Sequence, residues 1–118
     1  MGRLTTHILD LHAGRPALGV KIDLLHFIPV NGWQIITTSE SNLDGRTSEP
    51  LLSEHNYRPG QYELQFHIGA YFDKLNIISS HAAFLDIVPI RFKLTEASGH
   101  YHIPLLTTPW AYSTYRGS

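Results

Sequence analysis

The fold of this chain is decided by its most regular stretch, Gln61-Tyr62-Glu63-Leu64-Gln65-Phe66-His67-Ile68. Apolar side chains alternate there with polar ones, which is the period of a β-strand with one face in a core and the other in water. The same alternation occurs in residues 20–24 and 88–94. All three segments are therefore predicted to be half-buried strands. Pro89 and Pro104 each remove a backbone donor, so we expect an edge or a bulge at those two points.

Turn-forming residues separate these strands along the whole chain. They recur at Gly14-Arg15-Pro16, Asn31-Gly32, Asp44-Gly45, Arg58-Pro59-Gly60, Ser98-Gly99 and Thr108-Pro109. Only residues 70–80 favour a helix, because Tyr71, Leu75 and Ile78 lie at i, i+4 and i+7. Many short strands with one helix predict an all-β sandwich of two sheets.

Composition limits the domain count and the partners. With 118 residues, 42% apolar and 16% charged, the chain suffices for one core, so a single domain over residues 1–118 is expected. A net charge of −1 argues against nucleic acid and anionic membranes as partners. Neither a signal sequence nor a membrane-spanning stretch is recognisable, so we expect a cytoplasmic protein. Periplasmic or peroxisomal placement would require a targeting segment that was removed.

Eight histidines in a chain without cysteine raise the question of a metal site. His100 and His102 share a strand face and could join His7. However, there is no HExxH motif and no carboxylate at a ligand-like spacing, so we predict no metal. The remaining histidines are expected to be surface or hydrogen-bonded residues: His12, His26, His55, His67 and His81.

Three further segments look ordinary when each is taken alone. His7 lies in the predicted first strand, Thr5-Thr6-His7-Ile8-Leu9-Asp10, where a single histidine is usually structural. Arg46 follows the turn Asp44-Gly45 and could be a solvated arginine. The chain ends in Tyr115-Arg116-Gly117-Ser118, and terminal residues are usually dispensable.

Taken together, these segments resemble the 5-hydroxyisourate hydrolases of the transthyretin-related family. The resemblance is carried, in the same order, by the segments Leu4-Thr5-Thr6-His7-Ile8-Leu9-Asp10, Gly14-Arg15-Pro16-Ala17, Asp44-Gly45-Arg46, Pro50-Leu51-Leu52, residues 84–92, residues 100–106 and Tyr115-Arg116-Gly117-Ser118. It covers nearly the whole chain, and the terminal tetrapeptide is its most specific part.

The resemblance implies a transthyretin-like sandwich of two four-stranded antiparallel sheets with one short α-helix, assembled as a homotetramer. It implies hydrolysis of 5-hydroxyisourate to 2-oxo-4-hydroxy-4-carboxy-5-ureidoimidazoline in urate degradation, without a cofactor. The residues that match the family's catalytic set are His7, Arg46, His102 and Ser118. The substrate-binding set is His7, Arg46, Tyr115, Arg116 and Gly117.

The chemistry of hydrolysis suggests a role for most of these residues. His7 and His102 suit water activation and proton transfer, and Arg46 suits stabilisation of an oxyanion. A covalent mechanism through Ser118 ranks below direct water attack, since the chain has no GxSxG elbow. The alternative from another class is a carrier that, like transthyretin, binds a small aromatic ligand in the tetramer channel. Transthyretin lacks the terminal signature and the histidine and arginine set, which favours the enzyme.

Overall fold

The chain folds into two four-stranded sheets, seen in a computed structural model that describes residues 2–117. The elements in chain order are β1 (Gly2–Asp10), β2 (Arg15–Pro16), β3 (Lys21–Ile28), β4 (Gly32–Glu40), β5 (Gly60–His67), α1 (Ile68–Lys74), β6 (Ile87–Leu94), β7 (Gly99–Thr107) and β8 (Tyr112–Thr114). The first sheet has the strand order β2-β1-β7-β8, and the second has β4-β3-β5-β6. The predicted sandwich with one short helix is confirmed.

One strand pair departs from the antiparallel prediction. β1 and β7 run parallel, in register from Gly2 opposite Gly99 to Asp10 opposite Thr107. Tight hairpins enforce antiparallel pairing only between strands that are close in sequence. Most of the chain separates β1 from β7, so no hairpin constrains their direction. This pair forms the floor of the candidate site.

The core lies between the inner faces of the two sheets. In β1 the even-numbered residues are buried and the odd-numbered ones are partly exposed, as the alternation predicts. The largest fully buried side chains come from β1, β3, β5, β6, β7, the start of α1 and the Leu52 segment: Leu4, Ile8, Ile22, Leu24, Leu52, Tyr62, Leu64, Phe66, Ile68, Phe72, Leu94 and Leu105.

The outer face of the second sheet is more buried than the alternation predicts. Asp23 is only 4% exposed and Glu63 only 8%. The hydroxyl of Thr38 donates to Asp23 at 2.7 Å, and His67 Nε2 lies 2.9 Å from the second Asp23 oxygen. Arg91 Nε donates to Glu63 at 3.1 Å. Side chains on neighbouring strands therefore cover these carboxylates and also satisfy them.

The helix is shorter than predicted and begins earlier. It runs from Ile68 to Lys74 rather than over residues 70–80, and its buried residues are Ile68, Gly69, Tyr71 and Phe72. Asn76 adopts a positive φ of 59°, a left-handed conformation that ends a helix. The spacing of Leu75 and Ile78 therefore misled the prediction, because Leu75 is the C-cap, just after the last helical residue, and Ile78 lies beyond Asn76.

The two prolines behave differently. Pro89 lies in β6, an edge strand, as expected. Pro104 lies instead in an interior strand, β7, so the edge expectation is wrong there. β8 ends at Thr114, whose hydroxyl donates to the Pro104 carbonyl at 2.7 Å, and an isolated bridge joins His102 to Gly117 further along in the same register. The missing N–H of Pro104 interrupts this ladder.

No helix within residues 2–117 is both long enough and apolar enough to cross a membrane.

Candidate active site

The candidate site lies on the outer face of the first sheet. Because side chains alternate along a strand, Arg3, Thr5 and His7 of β1 lie on the face opposite the core. The parallel register places Thr5 beside His102 and Arg3 beside His100. The fold thus brings His7 and His102, far apart in sequence, onto one face.

The loop after β4 brings Arg46 to this face. The Asn42 carbonyl accepts a hydrogen bond from the Gly45 N–H, and its side-chain oxygen accepts from the backbone N–H groups of Asp44 and Arg46. The Gly45 carbonyl then accepts from the Ile8 N–H at 2.8 Å, which fixes the loop against β1. Gly45 has a φ of 75°, and a Cβ there would overlap the Ile8 carbonyl. Only glycine fits this contact without strain.

A cleft opens between two points at which the loop after β4 contacts the edge of β1. The loop touches β1 at Ile8 through Gly45 and again at Leu4, which exchanges hydrogen bonds with Leu51 and Leu52 at 2.8 and 2.9 Å. Between these contacts lies a cleft of about 360 Å³. It is lined by Arg3, Thr5, Thr6, Arg46, Thr47, Ser48, Pro50, His100 and His102. His7 is not part of that lining and lies beside it, close to Arg46.

The pKa values of His7 and His102 are both lowered from the ordinary 6.5. Burial is the largest cause for each ring, since an imidazolium loses hydration there, and the charge of Arg46 is the second. A hydrogen bond to the Asp44 backbone and the Asp44 charge oppose the shift of His7. Both rings therefore favour the neutral form at pH 7, which can accept a proton from water.

Thr5 and His100 belong to the site although no sequence motif assigned them a role in hydrolysis. The Thr5 hydroxyl lies 2.8 Å from His100 Nε2 and 2.9 Å from His102 Nδ1. No local motif could have revealed this contact, because 95 positions separate Thr5 from His100. The only sequence signal was the shared face of His100 and His102.

The C-terminal segment packs directly on His102. The Gly117 N–H donates to the His102 carbonyl at 2.6 Å, and a Cβ on Gly117 would lie 2.7 Å from His102 Cδ2. Only a residue without a side chain allows this approach. Tyr115, Arg116 and Gly117 also border, with His100, an open hollow of about 590 Å³. The tail is thus ordered against the site rather than frayed, and Ser118 lies outside the described residues.

Arg116 and Tyr115 do not reach the cleft that contains Arg46. The Arg116 guanidinium lies over the Tyr101 ring, 4.1 Å from its centre, where it anchors the tail. Tyr115 is mostly exposed, and with Arg116 it borders an apolar groove of about 290 Å³ between the β6 and β8 edges. The cleft of about 360 Å³ therefore does not by itself provide the substrate contacts that the sequence predicts for these two residues.

The remaining histidines are dispersed. His26 stacks on Tyr62 with ring centres 4.2 Å apart, His12 meets the edge of Phe72, and His67 pairs with Asp23. His55 and His81 are exposed. Within residues 2–117, no three histidine, aspartate or glutamate side chains are grouped closely enough to hold a metal ion.

Comparison with known proteins gives one consistent result. The model of the HIUase/Transthyretin family matches residues 4–117. The chain is 48% identical over 117 residues to 5-hydroxyisourate hydrolase 2 of Rhizobium meliloti, covering 99% of this chain and 97% of that protein.

Solved structures agree with the sequence comparison. A 5-hydroxyisourate hydrolase of Klebsiella pneumoniae has a TM-score of 0.81 at 31% identity, covering 100% of this chain and 94% of that one. Sea bream transthyretin in complex with thyroxine has a TM-score of 0.86 at 26% identity, covering 98% and 94%. An (S)-allantoin synthase has a TM-score of 0.91 at 39% identity over 99% of this chain, which spans only 44% of that longer chain.

Proposed function

The chain belongs to the HIUase/transthyretin family, and from its match to the hydrolases of that family over almost its full length we infer that it is a 5-hydroxyisourate hydrolase of urate degradation. The observation that carries the inference is the 48% identity to a hydrolase over almost its full length, combined with His7, Arg46 and His102 on one face. Transthyretin is the more distant relative, at 26% identity. Fold alone would not separate the two functions, so the site residues decide.

The cleft suits a small, planar, polar substrate. A volume of about 360 Å³ is near the lower end of ligand sites, which run from roughly 300 to 1,000 Å³. Its lining is rich in hydroxyl, imidazole and guanidinium groups. Such groups can pair with the carbonyl oxygens and ring nitrogens of an oxidised purine.

We assign water activation and proton transfer to His7 and His102. A neutral imidazole takes a proton from water as the oxygen attacks a ring carbonyl carbon, and the carbonyl oxygen becomes an oxyanion. Arg46, whose charge acts on both imidazoles, offers two parallel N–H donors to that oxyanion. Collapse of the intermediate breaks the ring C–N bond, and the imidazolium protonates the departing nitrogen. The residues present supply every step, so the mechanism uses no cofactor.

The terminal segment completes the site in this proposal. Gly117 holds the tail on His102, and Arg116 anchors it on Tyr101. Tyr115 borders a hollow that adjoins the cleft at His100, and we assign it stacking on a substrate that extends into that hollow. To Ser118 we assign binding of the attacking water through its hydroxyl.

We further propose that the protein is a homotetramer. The edge strands β6 and β8 lie at the same side of the sandwich, and exposed apolar side chains cluster around them: Phe84, Ile87, Trp110 and Tyr112. Phe84 and Trp110 are also close to each other, with ring centres 6.4 Å apart. Paired edges would remove both the unpaired backbone groups and this apolar surface from water.

The test is the ultraviolet absorbance of freshly generated 5-hydroxyisourate, followed with and without the protein. We expect saturable loss of absorbance, unchanged after extensive chelator treatment, and little acceleration by the His102→Ala variant. Tight binding of the substrate without turnover would favour the carrier. Activity lost to a chelator and restored by one metal would overturn the metal-free mechanism.

A further inference from the structure

The Thr5 hydroxyl joins His102, which the mechanism uses as a base, to His100, which has no role in it. It lies 2.8 Å from His100 Nε2 and 2.9 Å from His102 Nδ1, and it has one hydrogen to donate. It can donate to one ring only, so the other ring must donate to the hydroxyl oxygen. The protonation states of the two histidines are therefore linked through Thr5.

We propose that Thr5 and His100 form the proton outlet of His102, a role that rests on the hydrolase function inferred above. In the resting arrangement, His102 Nδ1–H donates to the Thr5 oxygen and Thr5 donates to His100 Nε2. His102 Nε2 then carries the lone pair that receives a proton from water. Thr5 and His100 act through His102, so both are positioning residues.

The reaction itself supplies the proton to be removed. Hydrolysis of a ring amide to a carboxylate and a neutral ureido nitrogen releases one proton at neutral pH, because the new acid ionises. Of the two protons of the attacking water, His102 delivers one to the departing nitrogen, and the other stays on the new carboxyl group. His102, neutral again, takes this second proton at Nε2 as the carboxylate forms, and without an outlet it would remain an imidazolium after each turnover.

The transfer balances along the hydrogen-bonded chain. His102, protonated on both nitrogens, passes its Nδ1 proton to the Thr5 oxygen while the Thr5 hydrogen moves to His100 Nε2. His102 is then neutral and His100 is an imidazolium, which releases its Nδ1 proton to water. The Thr5 hydroxyl rotates back, and exchange of ring protons with water returns both imidazoles to their starting tautomers.

His100 is suited to be the outer end of this chain. Its side chain is exposed, and it borders three adjoining hollows, the cleft of about 360 Å³ and two of about 500 and 590 Å³. Partial burial and the charge of Arg3 lower its pKa, so the imidazolium gives up its proton readily. Glu54 borders one of the same hollows and can attract the departing proton. His7 is less suited than His100 to release a proton to water, because its ring is more buried and forms a hydrogen bond with the Asp44 backbone.

The first experiment compares Thr5→Val, Thr5→Ser and His100→Gln in weakly buffered solution. Valine keeps the shape of threonine without the hydroxyl, whereas serine keeps the hydroxyl. We expect kcat to fall on the order of tenfold in Thr5→Val and His100→Gln with KM little changed, and to stay near wild type in Thr5→Ser. The double variant Thr5→Val/His100→Gln should be no slower than Thr5→Val alone, because both substitutions interrupt the same proton transfer. His81→Gln, at an exposed histidine outside the lining of the cleft and of the two adjoining hollows, is the matched control.

The second experiment asks whether an added proton acceptor restores the rate. Raising the concentration of imidazole buffer should increase kcat of His100→Gln towards wild type and leave wild type and His81→Gln unchanged. A structural role of His100 would give no such dependence on buffer. The outlet would be overturned by an unchanged kcat in both Thr5→Val and His100→Gln. It would also be overturned if imidazole buffer did not restore the kcat of His100→Gln, or if Thr5→Ser lost as much kcat as Thr5→Val.

The two proposals fail in different ways. Wild-type protein that does not hydrolyse 5-hydroxyisourate would remove the hydrolase function itself. An active wild type with fully active Thr5→Val and His100→Gln variants would remove only the outlet. His100 is exposed, so its substitution removes no core contact, and the elution volume of each variant on size exclusion checks the fold.

Discussion

Arg46 lies where its charge acts on His7 and His102 at the same time. Three backbone contacts fix its loop, namely those of Asn42 with Gly45, Asn42 with Arg46 and Gly45 with Ile8. A guanidinium held this firmly needs little reorganisation when negative charge develops on the substrate. After burial, the same charge is the second cause that lowers the pKa of both imidazoles, so in the proposed mechanism one residue serves both the base and the oxyanion site.

The first prediction concerns Arg46→Lys. Lysine keeps the charge but replaces the planar fork by a single ammonium, so stabilisation of the oxyanion should suffer. We expect kcat to fall by roughly 10²–10³, the loss typical of one oxyanion donor, with a normal elution volume. Arg91→Lys, in the Glu63 pair of the other sheet, is the control and should keep its rate. Full activity of Arg46→Lys would show that charge alone is sufficient.

The second prediction concerns pH. Burial and then Arg46 lower the pKa of His7 and of His102 below 6.5, so the neutral base persists at more acidic pH than for a free histidine. The acid limb of kcat/KM should therefore fall below pH 6.5. In Arg46→Met one cause of the lowering is removed, and the limb should move to higher pH.

Asp44 and His100 are the other ionisable neighbours of these two rings, and their effects must be compared with that of Arg46. Profiles of kcat/KM at constant ionic strength, with the uncatalysed rate subtracted, measure the shift. A limb that stays in place in Arg46→Met, or moves to lower pH, would contradict the electrostatic role of Arg46.

Two short elements determine how the site is held, the terminal segment and α1. The terminal segment continues the β8 register beyond Pro104 and reaches His102 through Gly117. α1 contributes Tyr71, whose hydroxyl donates to Asp10 at the end of β1 at 2.7 Å. Burial, this hydrogen bond and the Asp10 charge raise the pKa of Tyr71, so it remains a donor.

The third prediction concerns the tail. Deleting residues 115–118 removes an end that would ordinarily be dispensable. Because this end packs on His102, we expect a folded tetramer that has lost most of its hydrolytic rate. Gly117→Ala, whose methyl would lie against the His102 ring, should show part of the same loss. Deletion combined with His102→Ala should be little worse than the more damaging single change.

The control for the tail is Ser113→Ala, an exposed position on β8. It should retain full activity by the absorbance assay. A tail deletion that is folded, tetrameric and fully active would exclude a role of the terminal motif in hydrolysis and would strengthen the case for a carrier.

The fourth prediction concerns the hydrogen bond between Tyr71 and Asp10. Asp10 is 1% exposed, and its other oxygen accepts from the Ala13 N–H. Tyr71→Phe leaves one buried carboxylate oxygen without this donor, which should lower the free energy of unfolding by about 1.5–3 kcal/mol. Urea denaturation measures the change, with the exposed Tyr115→Phe as the control. Equal midpoints for the two variants would contradict it.

At the scale of the whole molecule, the sandwich has open edges that differ in character. β2 is only two residues long, and the loop that carries Arg46 and Leu52 covers much of the β1 edge. β6 and β8 instead expose backbone groups beside Phe84 and Trp110. Bare apolar edges of this kind attract further strands, so we expect them to be interfaces.

The fifth prediction is the assembly state. Light scattering at micromolar concentration should give about four times the chain mass of 13.3 kDa. Trp110→Lys places a charge in the exposed apolar cluster and should shift the mass towards smaller species. Val30→Lys, a comparable change at a residue that is 92% exposed elsewhere, is the control. A wild-type monomer at this concentration would refute the tetramer.

Sequence alone determined those features that each segment encodes by itself. Alternation in residues 61–68 and 88–94 gave the strands, because burial on one face selects a period of two. The resemblance selected His7, Arg46 and His102, and the structure brings all three together. It also named Ser118, which lies outside the described residues, and the catalytic roles of all four residues stay predictions. The helix end was missed because Asn76 stops it by a backbone conformation that spacing does not register.

Only the tertiary structure decided which distant segments meet. The parallel pairing of β1 with β7, the link from Thr5 to His100 and His102, and the approach of Gly117 to His102 all join residues whose local patterns carry no sign of one another. Alternation tells which face of a strand is buried but not which strand lies beside it. That choice depends on packing and backbone hydrogen bonding over the whole sandwich, so the site's proton path could appear only once the chain was folded.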